Sequence, residues 1–268
     1  MTIKTHIPET ELAELKTLLA ALKDGPLSSE QQTRMQALMQ RVDAGTLGEL
    51  EQEIIREGVS REEIRTNLCD IHLKAMRDQL EQQKVEVEAP HPINTLMEEH
   101  KLIVGYLDQL AELLKKLSAS GSFSDFSPYA AELGEIAHHL IETEKHHKRE
   151  EEGLFPILER HGIQEPPAIM VMDHEEFWPI KERIQELANL AQAAVSEHNS
   201  ADRPSFSEFK GELLEIGPKL VEGLKDHIFK EDTIIYQMAL NAVTEREWKE
   251  IKQRCDMIGY CCFTPADK

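Results

Sequence analysis

The chain has no long apolar run, no excess of basic charge, and little glycine or proline inside its longer periodic segments. Each shortfall excludes something. No stretch approaches the ~18 consecutive apolar residues that suggest a membrane span, and the opening MTIKTHIPETELAELK lacks the apolar core of a secretory signal. Fifty acidic against thirty basic residues give a formal charge of −20. Nucleic acid is therefore not an expected partner, because phosphate binding needs a clustered positive footprint. Four cysteines, two of them adjacent at Cys261 and Cys262, do not form a disulfide framework. The expectation is a soluble, cytoplasmic protein with no membrane contact.

What is present is helical periodicity, with no convincing strand, so the fold class is all-α. The 268 residues suffice for two domains. Residues 1–84 read as short helices forming an N-terminal domain. Ser28 with Gln31, Thr46 with Glu49 and Ser60 with Glu63 fit the reciprocal capping pattern at a helix start. The last of these helices, from about Ser60 to Gln83, runs into a linker at 85–91. Four longer helices, roughly 92–118, 128–161, 168–198 and 205–240, are separated by the turn-rich SASGSFSDFS, GIQEPP and NSADRPS. Short connections between long amphipathic helices predict an up-down-up-down four-helix bundle over 92–242. A helix starting near Thr244 and a tail occupy 243–268. Pro156 and Pro179 are expected to kink or break their helices.

Chemistry is concentrated in a pattern that occurs twice. In HHKREEEGLFP (146–156), His146 is followed four residues on by Glu150; in HIFKEDTIIYQ (227–237), His227 is followed by Glu231. Residues four apart share a helix face, so each pair presents an imidazole and a carboxylate to one point. His100 in MEEHKLI and His174 in VMDHEEF are the interior candidates on the other two helices. With a ~1.5 Å rise per residue, the four histidines fall ~6–12 Å from the same end of the bundle. A lone His followed by His-x-x-x-Glu in each half fits two hairpins related by an approximate twofold, which would build a symmetric two-metal site. Imidazole with carboxylate suits iron, zinc or manganese; a bridged pair favours iron. The competing frame, His147 with Glu151, matches the downstream copy less well, because Phe155 and Pro156 then fall where Ile235 and Tyr236 sit.

Together, HHKREEEGLFPILERHG, MDHEEF, HIFKEDTIIY and the upstream EEHKLI resemble the hemerythrin-like (HHE) cation-binding family, over about 91–240. The resemblance implies a four-helix bundle around a non-haem di-iron centre. The family's six-ligand set falls on His100, His146, Glu150, His174, His227 and Glu231. The oxygen carriers of the family add a His four residues along the third helix, where this chain has Trp178. The six-ligand pattern is closer to di-iron proteins implicated in repair of iron–sulfur clusters. ELEQEIIREGVSREEIRTNLCDIH resembles a domain of unknown function (438) found upstream of such bundles.

Outside these six, single residues are read more plainly. His6, His161 and His198 are expected at the surface or satisfied in the core. His139 is a candidate to donate to or accept from a ligand. Glu151 and Asp232 are expected to be solvated, with His147 and Glu151 kept as alternative ligands. Leu154, Phe155, Ile235 and Tyr236 are read as core, Tyr236 also as a hydrogen-bond partner of a ligand. Cys69 with His72 is too small a set for a closed zinc site, and Cys255, Cys261 and Cys262 have no assigned role. The functional expectation is a protein that binds or senses O2, NO or peroxide at two iron ions. It is not expected to be a conventional enzyme. The N-terminal helices would contact a partner protein or a second copy. The alternatives are an iron donor for damaged iron–sulfur clusters and an interaction module with a structural metal.

Overall fold

The computed structural model describes residues 7–21, 25, 27–39, 41–42, 44–61, 87–196 and 204–266, and every regular element among them is helical. The main elements are α1 (Glu9–Ala20), α2 (Ser29–Met39), α3 (Ala44–Arg56), α4 (Pro92–Ala119), α5 (Ala130–Glu142), α6 (Glu165–Ser196), α7 (Phe206–Lys230) and α8 (Glu245–Ile258). The expected helix from about Ser60 to Gln83, with Cys69 and His72, lies almost wholly outside the described residues, as do His6 and His198. No helix among the described residues is long and apolar enough to cross a membrane. The chain divides into two compact units.

One unit takes the described residues of Met1–Glu86, Phe155–Val171 and Phe229–Thr244. Its N-terminal helices close on Leu15, Leu19, Met35, Leu38, Met39 and Ile54, all buried. The capping box before α2 is formed as expected: Ser28 N donates to the Gln31 side chain at 2.9 Å, and Gln31 N donates to Ser28 Oγ at 3.3 Å. α3 begins at Ala44, two residues before the expected start. Lys16 pairs with both Glu53 and Glu57 at 2.7 Å, and Arg34 grips Glu14 with two nitrogens. Exposed pairs of this kind contribute at most about 1 kcal/mol each, so the buried leucines and methionines carry the packing.

The other unit takes Val87–Leu154, Met172–Ile228 and Glu245–Lys268. α4 starts where His91 Nδ1 accepts from Ile93 N at 3.2 Å and Pro92 occupies the first turn, a position where a missing N–H costs nothing. Its buried stripe runs Ile93, Leu96, Ile103, Leu107, Leu110, Leu114 and Leu117, the spacing of one helix face. Two polar residues, Glu99 and His100, interrupt that stripe and are just as buried. α4, α5, α6 and α7 pool their apolar faces into one core, with Leu133, Leu140, Ile184, Leu187, Leu213, Leu220 and Leu224 at its centre. At Gly217 a Cβ would meet Leu114 at 2.8 Å, so the bare backbone is what lets α7 approach α4. Pro179 does not end α6, which is assigned as one helix through it.

Candidate metal centre

The two repeated motifs share a backbone feature that periodicity did not reveal. Each carboxylate opens a π-helical turn, Glu150–Leu154 in the first copy and Glu231–Ile235 in the second. Pro156 follows the first turn, but no proline follows the second, so proline does not account for both. A wide turn re-aims the side chains it carries and recurs at functional positions. The motif carboxylates share that setting: Glu150 and Glu231 are fully buried, each one turn after its histidine.

Within the bundle unit the histidines meet in pairs across helices. His100 Nε2 faces His146 Nε2 at 3.0 Å, and His174 Nε2 faces His227 Nε2 at 2.9 Å. One oxygen, Glu150 Oε2, lies 3.5 Å from His146 Nε2 and 3.7 Å from His174 Nε2, between the two pairs. The potential ligand atoms of His100, His146 and Glu150 fall within 4.8 Å of one another, as do those of His147, His174 and His227. Five of the expected six residues, His100, His146, Glu150, His174 and His227, thus lie in one buried cluster, and Glu231 is buried at the start of the second π turn.

The outer nitrogens explain how the rings are held. Glu99 Oε2 lies 2.7 Å from His146 Nδ1, Glu151 Oε1 2.6 Å from His174 Nδ1, and Asp173 Oδ2 3.2 Å from His227 Nδ1. A carboxylate only accepts, so each ring donates its Nδ1–H and turns its Nε2 toward the other histidine of its pair. This is how carboxylates orient metal-binding histidines. Burial pushes the His146 pKa down to about 4 despite Glu99, keeping the ring neutral. His174 and His227 are held in the same way, each outer nitrogen against a carboxylate, and their Nε2 atoms converge at 2.9 Å.

Glu99 is itself clamped. Arg149 Nη2 donates to its Oε2 at 2.5 Å and the Thr264 hydroxyl donates to its Oε1. Burial alone would raise this carboxyl. The His146 hydrogen bond, with the charges of His146 and Arg149 and the Thr264 hydroxyl, outweighs burial and holds it at about 2. Arg149 also lies under the Tyr260 ring at 4.8 Å and 3.7 Å from Cys261 Sγ, so the segment after α8 closes over the clamp.

Several expectations change. Glu151, expected to be solvated, is only partly exposed and holds His174. His147 is buried and stacked on His174 with ring centroids 3.8 Å apart and 1° between planes. Its Nδ1 faces a donor, Lys181 Nζ at 3.5 Å, rather than a carboxylate; Glu144, at 3.9 Å, is out of hydrogen-bond reach. The neutral His147 ring therefore carries its proton on Nε2, opposite to His146, His174 and His227. Its pKa lies well below the usual value because of burial and the neighbouring His174 and Lys181. His139 packs against Tyr106 and Phe263 and meets the Cys262 thiol. Tyr236 is fully buried. Glu99 and Asp173 were missed, although a signal existed: an acid immediately precedes each lone histidine, and each reaches across to the histidine of the facing helix.

The sequence profile of the hemerythrin HHE cation binding domain matches residues 91–239, more than half of the chain. A family of unknown function (DUF438) matches residues 15–82. No curated protein matches the chain.

Proposed function

For a chain that belongs to the hemerythrin HHE cation-binding domain family, we propose that this one is a non-haem di-iron protein that binds or senses O2, NO or peroxide. The observation that carries the reading is the convergence of His174 Nε2 and His227 Nε2 at 2.9 Å, with the Nδ1 of each ring against a carboxylate. A cation would be held by both inward nitrogens. The donor set fits: four imidazoles, three of them oriented by carboxylates, and a buried Glu150 oxygen reaching both pairs.

Imidazole with carboxylate suits iron, zinc or manganese, and a paired set of donors favours iron. His100 and His146 would hold one iron, His174 and His227 the other. Glu150, within reach of both pairs, would complete the donor set. When bound, two irons supply reversible binding or reduction of a small oxidant or nitric oxide at coordination positions the protein leaves open.

The residues' own tasks follow from their partners. Glu99, Glu151 and Asp173 fix ring orientation and tautomer. His147, with its proton on Nε2 and its face on His174, supplies a hydrogen-bond donor beside the centre rather than another lone pair. Trp178, where the family's oxygen carriers have a histidine, leaves that coordination position to a ligand.

Metal content of protein purified without chelators tests the reading. Close to two irons per chain are expected, lost in the His146→Ala/His227→Ala variant. The iron-loaded protein is expected to change its visible absorption with O2, azide or NO. A spectrum indifferent to all three overturns sensing and leaves a structural metal; little metal in both proteins overturns the centre.

A further inference from the structure

We propose a second metal site in this chain, for a thiophilic divalent ion such as zinc, built by His138, His139 and Cys262 at the surface of the bundle unit. Cys262 Sγ lies 3.4 Å from His139 Nδ1 and 4.0 Å from His138 Nε2. The potential ligand atoms of all three fall within 4.8 Å of one another. Sulfur ~2.3 Å and nitrogen ~2.05 Å from one tetrahedral ion stand ~3.6 Å apart, so the observed spacings bracket those of a formed site.

The three side chains come from segments that are fixed independently of any ion. The His139 ring stacks on Tyr106 at 4.4 Å and 18° and meets the edge of Phe263 at 5.8 Å. Cys262 is held from both sides: Cys261 is buried against Arg149, and Thr264 is hydrogen-bonded to Glu99. The Cys262 N–H also donates to Glu142 on the same face as His138. The turn of 260–264 thus delivers one thiol, and only one, to two adjacent imidazoles on α5.

The donor set separates this site from the buried one. Thiolate with imidazole selects softer ions, whereas imidazole with carboxylate suits harder ones. Three protein ligands leave the fourth position to solvent, the arrangement of an exchangeable rather than a closed structural zinc. His138 and Cys262 are exposed, so an ion has a direct route in. On binding, the Cys262 S–H bond breaks, the proton passes to solvent, and the sulfur pair forms the metal bond. No oxidant or reductant takes part.

Cobalt(II) titration of the iron-loaded full chain, with Cys69→Ser as background, separates this site from the proposed buried centre, which has no thiolate. The expected result is one equivalent of cobalt with thiolate-to-metal charge-transfer absorption in the near ultraviolet, displaced by zinc. The absorption should disappear in Cys262→Ser and His139→Ala and persist in Cys255→Ser and Cys261→Ser. The His146→Ala/His227→Ala variant should keep it, so failure of the buried centre and failure of this site are distinguishable. No such absorption in the natural chain, or absorption that survives Cys262→Ser, overturns the proposal, since a thiol merely hydrogen-bonded to imidazole gives neither band nor stoichiometry.

Discussion

At the scale of single residues, the protein spends carboxylates on histidines. Glu99, Glu151 and Asp173 each take one Nδ1–H, and replacing such a partner typically weakens metal binding about 10–100-fold. Asp173→Asn and Glu151→Gln are therefore expected to retain the fold and lose that much iron affinity in competition with a chelator. His147 separates from the others: His147→Gln should keep the metal content and alter the spectral response to NO, whereas His146→Ala should lose metal. The Glu99–Arg149 pair is buried, so Arg149→Met strands a carboxylate and should destabilise the chain by about 3–5 kcal/mol in urea unfolding. The pH sign follows from Glu99. Its folded pKa of about 2 lies below the ordinary 4.5, so it stabilises the folded chain above pH 4.5 and loses that contribution as the pH falls toward 2. Unfolding midpoints of metal-free protein across this window should fall less steeply in Glu99→Gln.

Helices carry the next level, and here the sequence was legible in proportion to its regularity. The start of α4 at Pro92, the capping box at Ser28 and the apolar stripe from Ile93 to Leu117 follow from local rules that packing did not override. The π turns at Glu150–Leu154 and Glu231–Ile235 were not legible. Nothing in EEEGL and EDTII distinguishes a wide turn from an α turn. Glycine spacing was equally silent about Gly217, whose missing side chain admits Leu114. Gly217→Leu should cost about 1–3 kcal/mol through overpacking, seen as a lower melting temperature with helical content unchanged.

For the molecule as a whole, metal and fold are linked by mass action. A ligand at about 1,000 times its dissociation constant stabilises the folded state by about 4 kcal/mol. Removing iron should accordingly lower the melting temperature of the iron-loaded natural chain, and the natural chain should lose more on chelation than His146→Ala/His227→Ala does, as measured by calorimetry. The repeat at His146 and His227 made the buried cluster readable from the sequence, because the same His-x-x-x-Glu spacing is written twice. The tail's part was not readable: Cys261, Cys262 and Thr264 carry no periodic signal, and they act by returning to α4 and α5 from far along the chain.

That return has a consequence in time. The Thr264 hydroxyl closes on Glu99 across 165 residues. At about 5–20 residues per second, a ribosome needs roughly 8–30 s to travel that far. Through this interval Glu99 and, later, His146 already exist, but the hydroxyl that completes the carboxylate's grip does not. The nascent chain carries Glu99 and His146 before it can complete this grip, which closes only after translation has passed Thr264.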